Sequence, residues 1–197
     1  VALLGDPETA TEAWLVLHGY GMTAQGILHW FREAARPERL LVAPEGLSRF
    51  YQQSKGLRTV GASWMTREDR EHEIEDQLGY LDQVAERWLA GRRRLEVHGF
   101  SQGVATAFRW VAASSRSVDR LVGWGSPSPS DVDPAALAAR LAAGTAHLVI
   151  GEQDRFFSTE LLIGDADRLR HGGLPVELVR VPGGHGIDSG VLARFAG

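Results

Sequence analysis

The sequence predicts an α/β protein built on a mainly parallel sheet of about six strands flanked by helices. Three observations lead there. Short runs rich in Val and Leu recur between longer segments of helical period, the alternation expected of parallel strands between covering helices. Most of those runs are near-continuously apolar, as strands buried on both faces must be. Finally, 197 residues at 44% hydrophobic and 23% charged supply one sizeable core. No internal repeat and no linker rich in Pro, Gly or Ser divides the chain, so residues 1–197 are expected to form a single domain.

Taken in order, Ala13 to Leu17 is the first strand, Thr23 to Ala35 a helix, and Leu40 to Ala43 the second strand. A long helix from about Arg67 to Arg92 is marked by Ile74, Leu78, Leu81, Ala85 and Trp88, whose steps of four, three, four and three share one stripe. Leu95 to His98 is the third strand. Val104, Ala107, Phe108, Val111 and Ala112 repeat the helical pattern from Gln102 to Ser115. Leu121 to Trp124 follows as a strand, then a helix from Pro134 to Ala143, with Pro134 suited to its first turn and Asp133 to its N-cap. His147 to Ile150, a helix from Thr159 to Arg170, and the strand Val176 to Val181 complete the series.

Charge and composition narrow the function. Lys plus Arg number 21 against 25 Asp plus Glu, a net charge of -4, so no field holds a polyanion and nucleic acid is not an expected partner. The absence of cysteine removes disulfides, Cys-ligated zinc, iron-sulfur clusters and any thiol nucleophile. No apolar run approaches the ~18 residues of a membrane helix. Val1 to Thr11 lack the basic start and long apolar stretch of a signal peptide, so a cytoplasmic location is expected. Two charged clusters are decoys. Arg67 to Glu73 lacks a His-Glu-x-x-His spacing and its mixed signs suit a solvated helix face, while Arg92-Arg93-Arg94 suits the negative end of a helix dipole. Neither a metal nor a cofactor is expected.

The strongest chemical signal is Gly99-Phe100-Ser101-Gln102-Gly103, a Gly-x-Ser-x-Gly placed where a predicted strand turns into a predicted helix. Such a turn brings backbones too close for side chains at Gly99 and Gly103 and pushes Ser101 into a strained, exposed conformation. The N-H of Gln102, at the helix start, then faces an incoming oxyanion. A serine hydroxyl needs a base to take its proton and a carboxylate to orient that base. His185, flanked by Gly184 and Gly186 after the last strand, and Asp154, after the strand ending at Ile150, both lie at the sheet edge where open α/β sheets gather their sites. Asp131, after the fourth strand, is the alternative acid. A second oxyanion donor is expected from the loop His18-Gly19-Tyr20-Gly21, at the N-H of Tyr20.

The His-Gly-x-Gly turn, Gly-Phe-Ser-Gln-Gly and the order Ser101, Asp154, His185 resemble the α/β-hydrolase fold, specifically the phospholipase/carboxylesterase family that includes acyl-protein thioesterases. The resemblance covers nearly the whole chain. It implies a Ser-His-Asp triad with Tyr20 and Gln102 as the oxyanion hole, acting on esters or thioesters without a cofactor. The chain departs from it in three places: Met22 where an acidic residue is common, Val104 where a second glycine is, and Phe156-Phe157 where Val-Pro is.

Trp64, Met65 and Phe156 are expected to line an apolar cleft. Ser126 to Pro134 is far too short for a cap domain, so the cleft is expected to be open. The expected activity is hydrolysis of small or single-chain carboxylic esters through an acyl-enzyme. A thioesterase or lysophospholipase would use the same residues, an acyltransferase would replace water with an alcohol, and a non-catalytic binding module could keep the same fold.

Overall fold

The computed structural model describes residues 1–54, 56–141 and 144–197. Nine strands and six α-helices follow in the order β1 (Ala2–Leu4), β2 (Glu12–Leu17), α1 (Ala24–Phe31), β3 (Arg39–Ala43), β4 (Ser48–Ser54), β5 (Leu57–Ser63), α2 (Arg70–Trp88), β6 (Arg94–Phe100), α3 (Gln102–Ala113), β7 (Arg120–Trp124), α4 (Pro134–Ala138), β8 (Ala146–Gly151), α5 (Thr159–His171), β9 (Val176–Val181) and α6 (Ser189–Ala196). Seven strands form one sheet in the order β1-β3-β2-β6-β7-β8-β9, parallel throughout except for β1 against β3. β4 and β5 form a separate antiparallel hairpin.

The sheet is doubly covered, which explains why its strands read as unbroken apolar runs. Along β2, Ala13, Leu15 and Leu17 enter the core shared with α2, α3 and α5, while Trp14 and Val16 enter the one shared with α1 and α6. The chain leaves β2 in both directions: β3 and β1 lie on one side of it, β6 to β9 on the other. Loops at the carboxyl ends of β2 and β6 therefore flank a crevice at the switch point, where open α/β sheets hold their ligands. The register pairs Leu17 with Gly99, so the loop carrying Tyr20 and the turn carrying Ser101 emerge side by side.

Four features differ from the sequence-based expectation. β1 adds an antiparallel edge strand, and β4 with β5 fills a stretch between Ala43 and Arg67 in which the sequence predicts no element. α6 was not expected; Asp188 caps it by accepting from the Val191 N-H at 2.8 Å, and Val191, Leu192, Phe195 and Ala196 bury one face. α4 ends at Ala138 because Leu141 leaves to form a bridge with Val118. Ala142 and Ala143, the expected end of that helix, lie outside the described residues. Among the described residues no helix is long and apolar enough to cross a membrane, and no cap domain covers the sheet edge.

Candidate active site

Ser101 sits between β6 and α3 with φ 52° and ψ -117°, one of two described non-glycine residues at positive φ. Its N-H donates to the Trp124 carbonyl at 2.8 Å, and its own carbonyl accepts from Val104 at 3.0 Å, so both neighbours hold the turn. A Cβ on Gly99 would collide with the Gly103 carbonyl, and one on Gly103 with the Leu17 carbonyl; the close packing that permits this elbow requires glycine at both positions. Gln102 opens α3, where a first-turn N-H has no acceptor within the helix. Its side chain is committed elsewhere: Oε1 accepts from the Trp64 N-H at 3.1 Å, while Nε2 donates to the Met65 carbonyl at 2.9 Å and the Ser63 hydroxyl at 3.0 Å.

Asp154 and His185 arrive from the loops after β8 and β9. Asp154 Oδ2 lies 2.6 Å from His185 Nδ1, with the carboxylate side chain fully buried. Its second oxygen accepts from the Phe156 N-H at 2.8 Å and the Phe157 N-H at 3.3 Å. A carboxylate can only accept here, so Nδ1 carries a proton, and in the neutral ring Nε2 is the nitrogen with the lone pair. The carboxyl end of β7 makes room for the pair: Gly125 has φ 66°, and a Cβ there would lie 3.1 Å from the His185 ring.

The loop after β2 is held from several sides. His18 is buried; its Nδ1 donates to the Gly19 carbonyl at 2.8 Å and its Nε2 accepts from the Gly46 N-H at 2.9 Å, a pattern that needs a neutral ring. Burial pushes the His18 pKa down, which keeps it so. Gly19 O also accepts from Met22 N-H at 3.1 Å. The Gly19-Tyr20 peptide is trans, and in a planar trans peptide the N-H points opposite to the C=O. Binding the Gly19 carbonyl inward therefore turns the Tyr20 N-H outward. A Cβ on Gly19 would come within 3.2 Å of Ser101 Cβ, so this loop lies directly against the serine. The β4–β5 hairpin buttresses it further: the Gln52 amide donates to the Gly21 carbonyl at 2.7 Å and Gly21 N-H donates to the Ala62 carbonyl at 2.9 Å.

A cleft of about 490 Å³ opens onto Ser101 and His185, walled by Tyr20, Met22, Trp30, Phe100, Phe156 and Phe157. Phe156 is one of these wall residues. Trp64 and Met65, expected beside it, are not among them. Trp64 is buried, stacked on His18 at 4.9 Å and donating through its indole to the His18 carbonyl at 2.8 Å, so it braces the loop from beneath. Met65 faces α3, with its sulfur 3.4 Å from Arg109 Nη1. The alternative acid Asp131 is not beside His185 either. It bonds Arg70 at 2.7 Å and Arg109 at 3.0 Å; although burial pushes its pKa up, these guanidinium bonds win and hold it at about 2.

Trp30 and Met22 are wall residues that the sequence reading missed. For Trp30 a signal existed: α1 buries Ala24, Ile27, Leu28 and Phe31, and Trp30 is a large apolar residue off that stripe, which leaves it facing the cleft. Among the described residues no group of three or more His, Asp or Glu side chains is arranged to hold a metal ion.

The sequence matches no protein-family model and no curated protein. Solved structures resemble the chain over nearly its full length. They include a carboxylesterase from Mesorhizobium loti (TM-score 0.76, 20% identity, covering 98% of this chain and 90% of that one) and esterase PE8 (0.70, 20%, 99% and 94%). Zea mays acyl-protein thioesterase 2 is similar as well (0.72, 17%, 99% and 95%). At these identities the likeness is one of fold, and the chain has the α/β-hydrolase fold.

Proposed function

We propose that the chain is a serine hydrolase of carboxylic esters, with Ser101 as nucleophile, His185 as base and Asp154 as its orienting acid. The observation that carries this reading is the 2.6 Å bond from Asp154 to His185 Nδ1, made on the cleft that also holds the positive-φ Ser101. In the reaction His185 Nε2 takes the Ser101 proton as Oγ attacks the ester carbonyl. The Tyr20 and Gln102 N-H groups hold the oxyanion, and collapse of the intermediate passes the proton from His185 to the departing alkoxide, releasing the alcohol. Water then gives a proton to His185 and its hydroxyl to the acyl carbon, and as the bond from that carbon to Ser101 Oγ breaks His185 returns the proton to Oγ, freeing the acid and restoring Ser101. The likeness to an esterase and a carboxylesterase supports ester substrates at the level of fold.

Among the described residues no cap covers the cleft, and an open cleft of this size supports small or single-chain esters as substrates. A thioester could occupy the same geometry, and matched oxygen and sulfur esters of one acyl group distinguish the two. The test is steady-state hydrolysis of p-nitrophenyl acetate. Ser101→Ala and His185→Ala are each expected to lower kcat by about 10⁴-fold or more. Full activity in either variant contradicts the assignment.

A further inference from the structure

The walls of the cleft are aromatic, and their rings are joined. Trp30 meets Phe100 edge-on at 5.2 Å, Phe100 meets His185 at 4.9 Å, and Phe156 meets His185 edge-on at 4.8 Å. Tyr20 adds another ring, itself stacked on Phe50 at 5.1 Å. Aromatic side chains are ordinarily sequestered, yet Trp30 is 41% and Phe156 66% exposed, so ring surface remains available to a ligand. Met22 and Ser101 are the only non-ring residues among the described lining, which contains no Lys, Arg, Asp or Glu. A charged substrate would find no counter-charge on this lining to offset whatever water it gives up.

We infer that this strip selects uncharged esters whose alcohol half carries an aromatic ring. The inference rests on the serine-hydrolase reading, which also says which half of the ester meets the strip. His185 must hand its proton to the leaving oxygen, so the alcohol lies beside the imidazole, against Phe100 and Phe156. An aromatic alcohol can meet those rings edge to face, aligning its positive rim with their negative faces, and such pairs contribute beyond the area they bury. A saturated group of the same size fills the space but lacks the quadrupole.

The comparison that isolates this effect is kcat/KM for 2-phenylethyl acetate against 2-cyclohexylethyl acetate. Both have the same carbon skeleton, and two methylenes insulate the ester oxygen from the ring. The phenyl ester is expected to be favoured about three- to tenfold, the range of one aromatic pair. Because the cyclohexyl ester is the more hydrophobic, a cleft that responds only to apolar area gives a ratio at or below one, which overturns the inference. In Phe156→Leu the ratio is expected to fall close to one, and Trp30→Leu to lower it in part. A ratio unchanged in both variants overturns the assignment to this strip. Labelling by a fluorophosphonate separates the two readings: a chain that labels on Ser101 without the phenyl preference loses only this inference. One that neither labels nor hydrolyses either ester loses the hydrolase reading as well.

Discussion

Ser101 holds a backbone conformation that costs a non-glycine residue on the order of 1–3 kcal/mol, and it persists because packed backbone at Gly99 and Gly103 leaves the turn no alternative. The two residues that would activate it are tied to each other just as firmly. Asp154 accepts from His185 and from two backbone N-H groups, so Asp154→Asn should leave the fold intact, with its amide oxygen free to keep those backbone bonds. The amide no longer enforces the Nδ1-H tautomer, and kcat should fall by about 10³- to 10⁴-fold while the melting temperature changes little. Wild-type kinetics in that variant would remove Asp154 from the mechanism. His18 acts through the peptide it fixes. In His18→Phe, the stack on Trp64 can survive but the Gly19 carbonyl loses one of its two anchors and the Gly46 N-H is left unpaired, at a cost of about 1–3 kcal/mol. With the Gly19-Tyr20 peptide held by the Met22 N-H alone and the Tyr20 N-H less firmly aimed, kcat should drop by roughly 10²-fold with KM nearly unchanged, the mark of a group that serves the transition state. A loss confined to stability would make His18 structural only.

Among the elements, those the sequence made legible are the ones with a period to read. The parallel strands and α2, α3 and α5 carry apolar runs or stripes because both faces of the sheet are covered. The β4–β5 hairpin has no such pattern: it stands off the main sheet, Tyr51, Leu57 and Val60 are exposed, and Phe50 and Gln52 serve the neighbouring loop. Nothing in that alternation announces a buried face. Trp64 departs from its expected place for a related reason, since an aromatic residue outside any predicted element reads equally well as wall or core, and only its burial and its indole bond to His18 decide. Contacts between elements also carry a pH signature. Asp131 joins the loop after β7 to Arg70 of α2 and Arg109 of α3, and those bonds lower its pKa to about 2 against an ordinary 3.8. A carboxylate depressed in the fold stabilises it above the unfolded pKa, and that contribution disappears as pH falls through the folded value. Asp131→Asn should therefore cost about 1 kcal/mol at pH 7, allowing for solvent screening of a side chain 40% exposed. The gap from wild type should close between about pH 4 and pH 2 in denaturant titrations. A gap independent of pH would mean that the ion pairs contribute nothing.

For the whole molecule, the decisive fact is topological. β2 and β6 are neighbours at the point where strand order reverses, so the loop carrying Tyr20 and the turn carrying Ser101 meet at one crevice, and β8 and β9 bring Asp154 and His185 to the same edge. That convergence was legible in the sequence because each candidate residue follows a strand and the chemistry demands a partner for each. The composition of the cleft was not, because Tyr20, Met22, Trp30 and Phe100 reach it from separate segments that only the folded sheet juxtaposes. The central claim is an activated serine in an accessible cleft. The measurement that tests it most directly is intact mass after treatment with a fluorophosphonate, run on the wild-type chain, Ser101→Ala and His185→Ala. A single adduct on the wild type, absent from both variants, is the predicted result. A folded wild-type chain that takes up no adduct, or one that is labelled equally in Ser101→Ala, contradicts the account.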